Sequence, residues 1–312
     1  MTDTGAKTAA LAARPIYANG FIVLTATIFA LGSTVIRFAY DAGAGTLTIV
    51  MVRNIISVVA LFLLIRALNV PLRFVRREWW AAPLIGAVMA AYSGAYYMAI
   101  TTMPVVLAVL TFYTYPLITG VFLWLTGEER FGLAGFAALI LAFIGLVLAL
   151  DVSGANFDLA GTLWALAGAV GFSAVLILSA HLLPKRTDTR PRTLLMLGTA
   201  SLVAILAVAV SGEVWFPQTS VGWVGLIGSA LCYTTAMTSV LFAASVLGAT
   251  RVALVMNVEP IASLVLTYLI LGERLRPFQL GGVALVVASI FLFRPRREPA
   301  AATTAAKAPA AP

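Results

Sequence analysis

The chain has 312 residues, 62% of them hydrophobic and only 10% charged, and its mean hydropathy of +1.02 excludes an ordinary water-facing globular domain. A net charge of +8 and a pI near 10.0 would suit a nucleic-acid binder only if the basic residues shared one solvated face, whereas here they sit between apolar runs, so no nucleic-acid partner is expected. Cys232 is the only cysteine and His181 the only histidine, which rules out an intrachain disulfide and a Cys/His metal cluster; no metal or other cofactor is expected.

In chain order, residues 1–16 form a short N-terminal segment. The first apolar run, from Ile16, is long enough to span a bilayer and lacks a small-residue cleavage site, so it reads as a membrane helix and not as a cleaved leader. Apolar runs predict spans at 17–40, 46–68, 80–102, 104–126, 132–150, 159–182, 192–211, 221–247, 250–271 and 277–294. Barrel strands would be about ten residues long with alternating polarity. These runs are longer and apolar all round, so the fold class is an all-α membrane protein of ten transmembrane helices. Residues 298–312 are rich in Ala, Pro and Thr and predict a disordered tail.

Orientation follows from the Lys/Arg bias of the short connections. With the N-terminus cytoplasmic, that side collects Lys7, Arg14, Arg66, Arg73, Arg76, Arg77, Arg130, Lys185, Arg186, Arg190, Arg192, Arg251, Arg294, Arg296, Arg297 and Lys307. Only Arg274 and Arg276 fall opposite, and Arg37 and Arg53 lie within spans. Both termini are therefore expected in the cytoplasm, with the chain in a bacterial inner membrane.

An internal repeat is also legible. Tyr115-Pro116 aligns with Glu259-Pro260, and Glu129-Arg130 with Glu273-Arg274, at one gapless offset of 144 residues. Two repeats, 17–150 and 159–294, would each hold five spans. Five is odd, so the second copy enters the membrane with the opposite orientation, the inverted-repeat plan of many secondary transporters.

The run Glu259-Pro260, Leu271-Gly272-Glu273-Arg274, Gln279 and Gly281-Gly282 resembles the closing helices of the EamA domain of the drug/metabolite transporter superfamily, with a weaker echo in Pro116, Glu128-Glu129-Arg130 and Gly135. The resemblance runs from the first span to Arg294, and the chain is most similar to YddG-type exporters of aromatic and other amino acids. It implies ten helices, cytoplasmic termini, a central cavity lined mainly by helices one, three, four, six, eight and nine, and alternating access. The first repeat departs from the pattern by carrying Tyr115 where the second has Glu259.

Several residues are candidates for transport. Pro116 and Pro260 sit near the middle of spans four and nine, where a proline removes a backbone bond and kinks the helix, so they are candidate hinges; packing alone also explains a membrane proline. Glu259 is the only acid expected deep in a span, where an uncompensated carboxylate costs about 2.5–3.5 kcal/mol. It either binds a substrate ammonium group, carries a proton, or holds the kink through hydrogen bonds with Asn257 and Thr250. Tyr92 with Tyr96, Phe112 with Tyr115, and Trp164 with Phe172 have helical spacing, and with Tyr233 they are expected to line an apolar cavity with a few polar donors. The substrate-binding set is thus Tyr92, Tyr96, Phe112, Tyr115, Trp164, Phe172, Tyr233, Asn257 and Glu259. Arg37 and Arg53 read first as residues that snorkel to headgroups, with recognition of a substrate carboxylate as the alternative, and His181 as interfacial, with a proton relay as the lesser reading. Gly168 and Gly171, with Gly222, Gly225 and Gly228, allow close helix approach.

The function these features favour is export of a small metabolite, an aromatic or other amino acid, across the bilayer. An organic-cation or drug exporter of the same superfamily is the rival, since Glu259 and aromatic faces also suit a cation. An intramembrane enzyme would require a nucleophile with its base, paired carboxylates or a metal set, and no such motif appears.

Overall fold

A computed structural model describes residues 15–103, 105–128, 132–150, 158–183, 188–212, 214–271 and 277–292. Lys7, Arg14, Arg130, Lys185, Arg186, Arg274, Arg276, Arg294, Arg296, Arg297 and Lys307 lie outside the described residues, as do Glu129, Gly272, Glu273 and the 298–312 tail.

Without water to satisfy backbone N–H and C=O groups, apolar segments of this length fold as helices. In order they are α1 (Pro15–Val35), α2 (Arg37–Asp41), α3 (Thr46–Ala67), α4 (Glu78–Thr102), α5 (Val105–Phe112), α6 (Tyr115–Leu125), α7 (Leu133–Leu150), α8 (Leu159–Leu182), α9 (Thr189–Ser211), α10 (Ser220–Leu247), α11 (Ala249–Val255), α12 (Val258–Leu271) and α13 (Pro277–Leu292). Among the described residues, nine segments are long and apolar enough to cross a membrane, three of them formed by the consecutive pairs α1/α2, α5/α6 and α11/α12, and α13 is a shorter apolar helix. No strand occurs among the described residues.

Side-chain size sorts the two faces of each helix. Ala18, Ala26 and Ala30 of α1 are fully buried while Leu24 is exposed, and on α3 Val59, Phe62 and Leu63 are exposed. Large apolar side chains outside and small ones inside are what helix association in lipid selects, because burying leucine there brings no hydrophobic gain. The most enclosed helix is α10.

Two sets of packing pairs mirror each other when the halves are exchanged. Helix α1 packs on α10 as α8 packs on α4; α1 also meets α12 as α8 meets α5 and α6; α3 meets α10 as α9 meets α4; and α3/α9 and α7/α13 pair with their own counterparts. Small residues make these contacts. Gly168 and Gly171 of α8 sit against Tyr92 and Tyr96 of α4, while Gly222 and Gly225 of α10 sit against α1 and α2. At Gly145 of α7, an added Cβ would fall 2.8 Å from the Gly282 carbonyl of α13, so the two backbones touch. Gln279 fastens the same pair by donating to the Ala149 carbonyl at 3.0 Å.

The proline sites differ from a simple mid-helix kink. The helix breaks at Tyr113-Thr114 and again at Met256-Asn257, and Pro116 and Pro260 occupy the first turn of the helices that resume, α6 and α12. A proline there needs no N–H partner, so the break moves to the residues just before it. Both breaks carry the same short bond, from Thr114 N–H to the Thr111 carbonyl and from Asn257 N–H to the Leu254 carbonyl.

Arg192, assigned from sequence to the cytoplasmic side, is interior together with Glu78. Glu78 and Arg192 are each only 1% exposed, at the starts of α4 and α9, with Arg192 Nη1 3.9 Å from Glu78 Oε1. Arg192 Nη2 also donates to the hydroxyls of Thr189 and Ser245, and the Val75 N–H donates to Glu78. A buried ion pair requires such added partners to offset its desolvation.

Candidate functional site

A cavity of about 460 Å³ lies at the centre of the bundle. Its lining comes from the C-terminal halves of α1/α2, α4 and α7, the N-terminal part of α3, α5 and the start of α6, the middle of α8 and α10, and the N-terminal half of α12. Because successive spans alternate in direction, these positions stack on one side: the cavity runs from mid-depth to the face opposite the start of α1. On the other side the bundle is packed shut by Met237, Val240, Leu241, Val252 and Ala253, all fully buried. There the Asn19 side chain of α1 accepts two bonds from Arg251 of α11, at 3.0 Å from Nε and 2.8 Å from Nη2.

The floor is aromatic. Tyr115 meets Phe172 edge-on with ring centroids 4.8 Å apart, Tyr92 meets Phe172 at 5.3 Å, and Phe112 touches Tyr92, Tyr96, Tyr115 and Phe172. Ser173 of α8 donates to the Tyr115 carbonyl at 2.9 Å, holding the α5/α6 break against α8. The hydroxyls of Tyr92 and Tyr233 are hydrogen-bonded to each other.

Glu259 projects into this space from the first turn of α12, directly after the Met256-Asn257 break. Its carboxylate accepts a bond from the Tyr113 hydroxyl. The expected partners play no such part: the Thr250 hydroxyl and Asn257 Oδ1 are buried without a hydrogen-bond partner among the described residues. Thr250 lies in α11, before the break, and Asn257 lies within it.

Of the residues singled out from sequence, Tyr92, Tyr96, Phe112, Tyr115, Phe172, Tyr233, Glu259 and Pro260 come together around the cavity. Trp164 does not; it is 43% exposed on the outside of the bundle. Eight residues along a helix is about 80° beyond two full turns at 3.6 residues per turn, so Phe172 turns inward and Trp164 outward. Asn257 and Pro116 are buried beside the breaks without lining the cavity.

Residues 16–150 and 159–294 each match the EamA-like transporter family. The chain belongs to that family. It is accordingly a multi-pass membrane protein and a transporter of small molecules. Comparison with curated proteins finds no match. A solved crystal structure, 19% identical in sequence, is similar over 88% of this chain and 97% of that one with a TM-score of 0.73, a likeness of fold.

In this EamA-like transporter, the sequence reading overlooked Tyr113, Ser33, Ser93, Tyr97 and Ser263 as cavity residues. Tyr113 follows Phe112, and an unbroken helix would turn it about 100° away; the break at Tyr113-Thr114 brings both to the same space. Arg53, expected to reach headgroups, instead lies over the Tyr233 ring with its guanidinium carbon 4.2 Å from the ring centroid. The signal that could have found it is an arginine about 10 Å in from the start of α3, at 1.5 Å per residue, deep for a snorkelling side chain.

Proposed function

We propose that this protein exports small amphipathic metabolites, aromatic and other amino acids, by alternating access across a bacterial inner membrane. Ten spans in two inverted five-helix repeats, with both termini in the cytoplasm, form the working unit, and α13 is the tenth span. In this orientation the cavity faces outward, and the seal holding Asn19 against Arg251 lies on the cytoplasmic side. The observation that carries the reading is Glu259, a carboxylate beneath an aromatic cavity open to one face. Rings receive an apolar side chain, and the carboxylate receives an ammonium group or a proton. The matched helix breaks ahead of Pro116 and Pro260 supply the hinge, because each half-helix can tilt where the hydrogen-bond ladder is already interrupted.

Flux into liposomes holding the purified protein tests this, with labelled aromatic, aliphatic and charged amino acids beside an organic cation. Saturable, competed amino-acid flux is expected, and flux of the cation alone would move the protein to drug export. Glu259→Gln keeps size and removes charge; a large loss of flux with normal folding is expected. Unaltered flux would remove Glu259 from the mechanism and leave it as a structural group at the break.

A further inference from the structure

Two arginines line the cavity, and they differ. Arg37 stands exposed near the mouth, on α2. Arg53 is held farther in, on a helix fastened to α10 by the Ser57 hydroxyl, which donates to the Ala230 carbonyl at 3.3 Å. The Arg53 guanidinium stacks on the face of Tyr233, and its Nε is buried with no hydrogen-bond partner. Glu259, the acid on the same cavity, bonds to Tyr113 instead.

A guanidinium enclosed this way is short of an anion. Stacking on a ring recovers part of the lost hydration but leaves the buried Nε–H without a partner, on a fork of donors that reaches into the cavity. The group that matches that fork is a carboxylate, bound through two parallel charge-assisted bonds. We propose that Arg53 binds the carboxylate of the transported solute, so that the cargo is a carboxylate-bearing amphiphile and organic cations are rejected. The inference rests on the reading of the cavity as an amino-acid site. In that arrangement the carboxylate lies at Arg53, toward α3 and α10, and the apolar side chain lies among the rings of Tyr92, Phe112 and Phe172. A cation lacking a carboxylate would leave the Arg53 charge unpaired in the same cavity, with Glu259 as the one acid among the described residues there to offset it.

The test compares phenylalanine with phenylalaninamide and phenethylamine, which keep the ring and amine and lack the carboxylate, in liposome flux and in thermal stabilisation of the detergent-purified protein. Wild type should favour phenylalanine over both by about tenfold or more, the scale of a lost charge-assisted bond pair. Arg53→Gln should raise the half-saturating phenylalanine concentration by that factor and narrow the preference over phenethylamine, with Arg53→Lys recovering part of the loss. Phenylalanine handled identically by wild type and a stably folded Arg53→Gln overturns this inference alone, as does wild-type indifference between phenylalanine and its amide. A wild type that carries phenethylamine and refuses phenylalanine, or that neither carries nor is stabilised by phenylalanine, overturns the amino-acid reading with it.

Discussion

Asn19→Ala should release the closed end of the cavity. Its side-chain oxygen accepts two bonds from Arg251, so the substitution unties α1 from α11 where the bundle is sealed. Bonds to a charged group contribute about 1.5–3 kcal/mol when buried. Both residues are half-buried, and solvent screening reduces the pair to about 1–2 kcal/mol, a factor of about 5–30 in the population of the oppositely open state. That minor population can be read by maleimide labelling of Thr250→Cys in a Cys232→Ser background, because Thr250 is fully buried on the sealed side. A thiol there reacts only when the seal opens, so its labelling rate follows the open fraction. Asn19→Ala should raise the rate about 5- to 30-fold on the same scale. An unchanged rate, with unchanged thermal stability, would refute the assignment of this contact as the seal.

Three further outcomes follow from particular contacts. Tyr113→Phe keeps the ring and removes the donor to Glu259, so flux efficiency should fall about tenfold; wild-type flux would show that Glu259 works without it. Gly145→Val forces atoms into the Gly282 backbone and should destabilise the protein by about 1–3 kcal/mol, read as a lowered melting temperature. Gly20→Ala, where an added Cβ meets nothing within 4 Å, serves as the neutral control. Asp188 caps α9 and pairs with Arg190; partial burial pushes its carboxyl up, and the Arg190 bonds outweigh this to hold it below the usual carboxylate range. Asp188→Ala should therefore cost about 1 kcal/mol near neutral pH. Because the folded group titrates lower than the unfolded one, that difference should be full at pH 7 and shrink as pH falls below about 4, in melting temperatures taken across the range. A gap that stays constant with pH would mean that the carboxylate's charge contributes nothing.

The span positions were legible because each apolar run must close its own backbone hydrogen bonds, which ties helix position to hydropathy residue by residue. The structure adds caps that were not read from the sequence: Asp158, Asp188 and Thr219 each stand just before a helix and accept from its first N–H groups. Most of the aromatic wall could be found from spacing within one helix. Tyr113 could not, because its direction is set by a break, and Trp164 was misplaced because a spacing of eight drifts around the helix. Arg192 read as a surface charge for a similar reason: a residue at a helix start is exposed or interior according to what packs over it, which local sequence does not contain.

The amino-acid sequence by itself determined an all-helical membrane chain, a duplicated plan, the one acid of the second repeat's proline motif and the small residues at which helices approach. These are properties of single segments in lipid, set by hydropathy, proline chemistry and side-chain size. Only the tertiary structure decided that Glu259 takes Tyr113 as its partner, that Arg53 turns onto Tyr233 in place of the headgroups, and that the cavity opens to one face while Asn19 and Arg251 close the other. Each of those joins residues from spans far apart in sequence, and which side chains meet is fixed by helix rotation and by the breaks at Tyr113-Thr114 and Met256-Asn257.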